Sequence, residues 1–156
     1  MSVVKIEKEL AEIINSKETI KVLATNDKSG IPHVVYKDSI HVNEDGNIEF
    51  WELLESSQTQ QNLVSGIWFN KLAAVSVLGR DKESYQIKGY PVECIDSGRY
   101  FEKVYKEVQE LLGDVELGAV WIIKPEEIKE ETFKKRQRED EEKYPILKHL
   151  DRLAKK

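Results

Sequence analysis

The sequence predicts a single soluble α+β domain, mainly β, in which six antiparallel strands form a small barrel with helices packed outside it. The chain has 156 residues, which fits one domain. Short apolar runs of strand length alternate with turn signals, of which Asn43-Glu44-Asp45-Gly46 is a hairpin signal because Asp-Gly supplies the backbone angles of a tight turn. Segments with apolar residues at helical spacing interrupt these runs and predict the outer helices.

Composition narrows the classes of partner and the compartment. The net charge is −5, which argues against nucleic acid or an anionic membrane as a partner, since both require clustered basic residues. The single cysteine, Cys94, excludes an intrachain disulfide and fits a reducing compartment. Charged residues from Lys5 to Glu9 interrupt the apolar run that a signal peptide would need, so we expect a cytoplasmic protein.

The first third of the chain predicts one helix and three strands. Ile6, Leu10, Ile13 and Ile14 recur at helical spacing, which indicates an amphipathic helix over residues 3–15. The strands are predicted at residues 20–25, 31–42 and 47–54.

The middle of the chain predicts two more helices and the remaining strands. Ser57 is a good N-cap, and Gln60 three residues later completes a capping-box pattern. The apolar stripe of this helix is predicted to be Leu63, Val64, Ile67 and Trp68. The elements that follow are strands at 72–78 and 84–95, a helix from Ser97 to Gly113, and a last strand at 115–123 that Lys124-Pro125 should stop.

The character of the chain changes near residue 129. We therefore divide it into a domain at residues 1–128 and a charged helical extension at residues 129–156. Of the fifteen residues from 129 to 143, twelve are charged, and pairs such as Glu130/Lys134 have the spacing of helical ion pairs. This pattern indicates a solvated helix, and a short amphipathic helix is predicted after Pro145.

The spacing of the residues indicates neither a metal site nor a catalytic nucleophile. The three histidines, His33, His41 and His149, have neither helical ligand spacing nor a cysteine partner. Cys94 lies in a predicted strand, where a cysteine is usually a small buried apolar residue. The sequence also has no glycine-rich phosphate loop and no nucleophile elbow, and its scattered carboxylates single out no catalytic pair.

The polar stretch that begins the second helix is the first candidate binding site. Ser57, Gln58, Thr59 and Asn62 offer hydroxyl and amide groups where the first helical amides lack internal partners and attract an anion. Thr59 and Asn62 are three residues apart and share a face. An ordinary cap with a polar first turn explains the same pattern.

A second candidate lies on the strand that begins near Pro32. Strand alternation places Val35 and Lys37 on one face and Val34 and Tyr36 on the other. Lys37 could supply a point charge to a phosphate, or it could be an ordinary exposed lysine.

Three further residues are candidates on later strands. Gln86 shares a strand face with Lys88, and Gly89 beside them indicates a bulge or a close approach. Trp51 and Trp121 are either core residues or cofactor contacts, since tryptophan serves both purposes.

In this order and spacing, the segments resemble the FMN-binding split-barrel family, which includes pyridoxamine 5′-phosphate oxidase-like proteins and small bacterial FMN-binding proteins. The resemblance covers residues 20–123. It is carried by Val22–Asp27 with Gly30 and Pro32, Gln58–Leu63, Ala74–Val77, Tyr85–Gly89 and the helix near Phe101.

The resemblance implies a six-stranded split barrel and an FMN site. Thr59 and Asn62 would lie beside the FMN phosphate, the strand from Val34 to Lys37 would run along the ring and phosphate, and Gln86 would reach the flavin from the second subunit of a homodimer. With the candidates above, the expected cofactor-binding residues are Val34, Val35, Tyr36, Lys37, Trp51, Ser57, Gln58, Thr59, Asn62, Gln86 and Trp121.

By the same resemblance, we expect an FMN-dependent oxidoreductase or electron-transfer protein that uses a small-molecule redox partner. Pyridoxamine phosphate oxidation itself is not expected. His33 stands near the position where those oxidases carry an arginine, and their terminal Arg-x-His segment is missing. The alternatives are the same fold binding F420 or heme, and a non-catalytic ligand-sensing or interaction module whose charged extension docks a partner.

Overall fold

The computed structural model describes residues 4–145 and has the predicted α+β architecture, with four helices and a curled antiparallel sheet. The helices are α1 (Lys8–Asn15), α2 (Gln58–Phe69), α3 (Gly98–Leu112) and α4 (Phe133–Lys143). The strands are β1 (Ile20–Asn26), β2 (Pro32–Tyr36), β3 (His41–Val42), β4 (Ile48–Glu52), β5 (Ala73–Leu78), β6 (Ser84–Ile95) and β7 (Ala119–Glu130).

The connection between β2 and β3 requires the sheet to curl. The seven strands are ordered β2-β1-β5-β6-β7-β4-β3, so β2 and β3 are consecutive in the chain but lie at opposite edges. In a flat sheet those edges would be about 29 Å apart. The chain from Tyr36 to His41 spans at most about 18 Å. The sheet therefore bends into a half-barrel that brings its two edges together.

The predicted count of six strands was wrong because the run at residues 31–42 divides in two. A turn between Lys37 and Ile40, closed by the bond from the Ile40 amide to the Lys37 carbonyl, separates β2 from β3. The break falls at Asp38-Ser39, where strand propensity is low. The hairpin between β3 and β4 forms as predicted, with Gly46 at a φ of 80°.

The predicted stop of the last strand at Lys124-Pro125 was also wrong. β7 runs on to Glu130, and Pro125 lies opposite Gly89, next to a register shift in the pairing of β6 with β7. Proline is tolerated at such an irregularity because no ladder hydrogen bond is needed there. A Cβ atom on Gly89 would lie 2.4 Å from the Lys124 carbonyl oxygen, so the predicted close approach is present.

Helix α2 packs with a different face from the predicted one. Of the predicted apolar stripe, only Leu63 is buried, whereas Trp68 is 79% exposed. The buried face is instead small and polar, because Gly66 lies against the Pro91 ring and Asn62 bonds to Thr25. The face toward the sheet comprises Thr59, Asn62, Leu63, Ser65 and Gly66.

Two separate hydrophobic clusters stabilise the fold. The larger contains Leu23, Phe50 and Trp121 and fills the concave side of the sheet. The smaller lies under α3, where Val104 and Val108 pack against the other side of β4 and β7. The sheet is thus covered by different elements on its two faces.

The charged part of the chain forms α4, in which no residue is buried. β7 includes Lys129 and Glu130, the first two residues of the predicted extension. The amphipathic helix predicted after Pro145 lies outside the described residues. Among residues 4–145, no helix is long and apolar enough to cross a membrane.

Candidate functional site

The first turn of α2 is built as the capping pattern predicts, with one difference. The Ser57 hydroxyl accepts a hydrogen bond from the Gln60 amide at 3.0 Å. The Gln60 side chain does not return to the cap, because its oxygen accepts a bond from the Trp121 indole at 2.6 Å. The helix start is therefore tied to the core strand β7, which fixes the direction of its first amides.

Thr59 and Asn62 lie on the buried face of this turn. Thr59 is 1% exposed and Asn62 is 4% exposed. The Asn62 amide donates to the Thr25 hydroxyl at 3.0 Å and accepts from Gln58 at 2.7 Å. The bond to Thr25 anchors α2 to β1, and the contact of either residue with a cofactor stays a prediction.

A cleft of about 300 Å³, which we call the α2 cleft, opens beside this turn. The turn between β1 and β2 forms its other wall, and the Asp27 carboxylate holds that turn by accepting from the Ser29 and Ile31 amides. The Ser65 hydroxyl is buried without a hydrogen-bond partner. The lining residues are Asp27, Lys28, Ser29, Gln58, Gln61, Asn62 and Ser65.

The convex face of the sheet carries two rows of side chains across four or more strands. One row runs from Val34 through Ala24 and Ala74 to Lys88, as the strand register places them opposite one another. The neighbouring row runs from Tyr36 through Val22 and Ser76 to Gln86. Small residues at the centre make this face flat, while Val34 and Tyr36 are 64% and 74% exposed.

Lys37 is not a free cation. Its ammonium forms an ion pair with the carboxylate of Glu52, a residue that is 1% exposed. The same ammonium lies 5.6 Å from the centre of the Phe50 ring. A phosphate at Lys37 would have to displace a buried carboxylate, so Lys37 does not fit the phosphate-anchor role that the sequence suggested.

A second cleft, of about 600 Å³, lies next to this pair, and we call it the β4 cleft. It is bounded by the turn after β2, the end of β4 and the segment that follows α3. Glu52 Oε1 and the Trp51 indole nitrogen are buried without hydrogen-bond partners. The lining residues are Tyr36, Lys37, Asp38, Ser39, Trp51, Glu52, Leu53, Leu54, Leu112, Val115 and Glu116.

A buried carboxylate on β4 joins three elements. Glu49, 2% exposed, accepts from His41 at 2.8 Å and from the Tyr100 hydroxyl at 2.5 Å. The other ring nitrogen of His41 faces the Ser39 carbonyl, so both nitrogens meet acceptors and the imidazolium form is favoured. Burial alone would lower the pKa of His41, but these bonds outweigh burial and hold it above its ordinary value of 6.5.

The two tryptophans predicted as cofactor contacts have different surroundings. Trp121 is fully buried in the larger cluster, so a cofactor cannot reach it without displacing its neighbours. Trp51 is half-buried and lines the β4 cleft. Val35 packs against the core, whereas Gln86 is half-buried on the convex face.

Nine of the eleven predicted site residues therefore form three groups, at the α2 turn, on the convex face and in the β4 cleft, whereas Val35 and Trp121 belong to the core. Their roles in cofactor binding stay predictions. Sequence reasoning missed Glu52, although strand alternation contained the signal: Ile48 and Phe50 point inward, so Glu52 must too. An inward acidic residue requires a buried partner. Ser65 gave no comparable signal.

Solved structures share this fold. HupZ of Group A Streptococcus is 26% identical, with 82% of this chain and 95% of that chain covered and a TM-score of 0.68. An FMN-binding protein from Syntrophomonas wolfei is 15% identical, with 81% and 88% covered and a TM-score of 0.61. A candidate pyridoxamine 5′-phosphate oxidase from Lactobacillus delbrueckii is 19% identical, with 80% and 93% covered and a TM-score of 0.61.

The fold is that of the FMN-binding split-barrel proteins. The resemblance seen in the sequence is thus confirmed in structure. An F420 reductase also has this fold, at 15% identity, 80% and 98% coverage and a TM-score of 0.58.

No protein-family model matches the chain, and a comparison with curated proteins found no match either. Within residues 4–145, no group of three or more histidine, cysteine or acidic residues is arranged to hold a metal ion.

Proposed function

We propose that this protein is a small homodimeric flavoprotein that binds FMN and exchanges hydride or electrons with a small-molecule partner. The observation that carries the proposal is the α2 cleft, on a fold shared with FMN-binding proteins. A buried hydroxyl without a partner, a lysine and a helix N-terminus meet there.

The α2 cleft suits the phosphate of FMN. The first amides of α2 have no helical acceptors and carry partial positive charge. The Ser65 hydroxyl is available as a donor, and Lys28 adds the only full positive charge among the lining residues. Lys37 takes no part in this proposal because Glu52 already compensates its charge.

The convex face suits the flavin ring and a second subunit. Val34 and Tyr36 are exposed beside small residues, which leaves a flat apolar surface for a planar ring. Trp68 and Phe69 at the end of α2 are 79% and 65% exposed, an exposure typical of an interface. In the dimer, Gln86 of one subunit would approach the flavin held by the other.

When bound, the flavin supplies the redox chemistry, and the protein supplies the site. The α2 turn would hold the phosphate, and the sheet would orient the ring and exclude water from one of its faces. No side chain of this chain needs to act as an acid or base in the transfer.

Flavin binding is tested by the visible spectrum of the purified protein and by titration with FMN and with riboflavin. FMN should bind at least ten-fold more tightly than riboflavin because only FMN carries the phosphate. Lys28→Gln should weaken FMN binding and leave riboflavin binding unchanged. Lys103→Gln, an exposed lysine on α3, is the matched control and should change neither.

A colourless protein that gains no flavin from excess FMN would contradict the proposal. Equal affinity for FMN and riboflavin would instead contradict only the phosphate position. Preferential binding of F420 or heme, recognised by its spectrum, would favour the same fold with a different cofactor.

The dimer is tested by light scattering during gel filtration. Trp68→Glu should produce monomers because it places a charge in the proposed interface. Phe133→Glu on α4, a residue that is 73% exposed, is the matched control and should remain dimeric. A wild-type monomer at micromolar concentration would contradict this arrangement.

In the alternative function, the protein is a non-catalytic module whose charged extension docks a partner. Thr132 bonds to the Ser84 amide and so belongs structurally to the end of the sheet. Truncation after Thr132 therefore removes α4 without removing that contact. If flavin binding survives and only capture of a protein partner is lost, the extension is an interaction device.

A further inference from the structure

We propose that the β4 cleft is a binding site for a small organic cation, such as a primary amine or an amidinium attached to a flat apolar group. The volume of about 600 Å³ lies in the range of small-molecule sites. No residue lines both this site and the α2 cleft, and Tyr36 alone is shared with the face proposed for the flavin ring.

Glu52 provides the central observation. This residue is 1% exposed, and one carboxylate oxygen, Oε2, is paired with Lys37. The other oxygen, Oε1, has no hydrogen-bond partner. Leaving a buried carboxylate oxygen unpaired is costly. A ligand N–H group that reached Oε1 from the cleft would remove that cost.

The charge around the cleft favours a cation over an anion. The lining includes three acidic residues, Asp38, Glu52 and Glu116, and one basic residue, Lys37. Lys37 is already paired, so it attracts no further anion. Two carboxylates at the rim remain without compensation from the lining, and they add to the attraction of a positive ligand.

The walls favour a ligand with a flat apolar part. Leu53, Leu112 and Val115 supply aliphatic surface, and Tyr36 and Trp51 supply aromatic rings that attract cations. The Trp51 indole nitrogen is a donor without a partner, so an acceptor on the ligand could also be satisfied. The combination of a carboxylate floor and aromatic walls selects an amine or amidinium.

Three probes that differ only in charge test the proposal: benzylamine, benzyl alcohol and benzoate, each titrated into the full chain by calorimetry at pH 7. Benzylamine should bind at least ten-fold more tightly than benzyl alcohol, and benzoate should bind most weakly. Glu52→Gln should lower benzylamine affinity at least ten-fold and raise benzoate affinity, since Lys37 then lacks its counter-ion. Glu55→Gln, an exposed neighbour outside the cleft, should change neither.

Glu116→Gln provides a second variant that leaves the Lys37–Glu52 pair intact. Glu116 is exposed at the rim, so the variant should fold normally and lower benzylamine affinity two- to five-fold. Stronger binding of benzoate than of benzylamine would overturn the proposal. So would no detectable benzylamine binding at millimolar concentration, or a Glu52→Gln variant that folds and binds benzylamine as the wild type does. Failure to bind flavin leaves these results unaffected.

Discussion

The α2 cleft and the β4 cleft began as two candidate phosphate anchors, and the structure separates them. At the α2 cleft the unpaired buried atom is the Ser65 hydroxyl, which can donate a hydrogen bond. The first turn of α2 contains no acidic residue that would compensate the positive end of the helix. At the β4 cleft the lysine is neutralised by Glu52, and one unpaired atom is a carboxylate oxygen. A lysine in a sequence therefore indicates an anion site only if its own chain leaves its charge uncompensated.

The largest expected effect comes from breaking the Lys37–Glu52 pair. Lys37→Met would leave a carboxylate that is 1% exposed without its counter-ion, and we expect a loss of about 3–5 kcal/mol in the free energy of unfolding. Urea denaturation measures this loss. Lys88→Met, which removes an exposed pair with Glu127 at 3.9 Å, should cost less than about 1 kcal/mol.

The double variant Lys37→Met/Glu52→Leu separates charge from packing. Replacing both partners with apolar residues should recover most of the stability, since no buried charge is left. A Lys37→Met variant as stable as the wild type would show that the Lys37–Glu52 pair does not stabilise the fold.

The second effect is a pH dependence of stability, and it arises from His41 and Glu49, which lie near the β4 cleft but do not line it. The folded state raises the pKa of His41 above 6.5. The stabilisation from protonated His41 is therefore fully present below pH 6.5 and is lost as pH rises through the folded pKa. Burial alone would raise the pKa of Glu49, but bonds from His41 and Tyr100 hold it below 4.5. That contribution is full above pH 4.5 and is lost as pH falls through the folded pKa.

Together these shifts predict that the His41–Glu49 contribution to stability is largest between about pH 4.5 and 6.5. Glu49→Gln should cost about 2–3 kcal/mol in that window because charge-assisted bonds to His41 and Tyr100 are lost. Denaturation at several pH values measures both. A Glu49→Gln cost that stays constant from pH 5 to pH 9 would contradict the charged form of the pair.

The sequence predicts features that depend on residues close together in the chain better than features that depend on residues far apart in it. The hairpin at Gly46 and the cap at Ser57 are local, and both are confirmed. The close approach at Gly89 is also confirmed, although its partner Lys124 lies on another strand, because a glycine inside a strand marks the position without naming the partner. The division of the run at residues 31–42 has a local signal at Asp38-Ser39, but the placement of β2 and β3 at opposite edges of the sheet is a long-range choice. The same holds for the pairing of Lys37 with Glu52, because alternation shows that Glu52 points inward but not which residue meets it.

The third effect tests the anchoring of α2. Asn62→Ala removes the bonds to Thr25 and Gln58 and leaves the Thr25 hydroxyl without a donor, so we expect a loss of about 1–2 kcal/mol. Urea denaturation measures this loss. Gln61→Ala, an exposed neighbour on the same turn, is the control and should change stability by less than about 0.5 kcal/mol. An Asn62→Ala variant with wild-type stability would show that the Asn62 bonds do not stabilise the packing of α2.

The smallest effect on stability, and the sharpest test of the difference between the clefts, comes from Ser65→Ala. The Ser65 hydroxyl is buried without a partner, so its removal should leave the free energy of unfolding unchanged or raise it by up to about 1 kcal/mol. If the hydroxyl contacts the cofactor phosphate, the same variant should weaken FMN binding several-fold without altering riboflavin binding or benzylamine binding. A stable variant that binds FMN like the wild type would remove Ser65 from the proposed site.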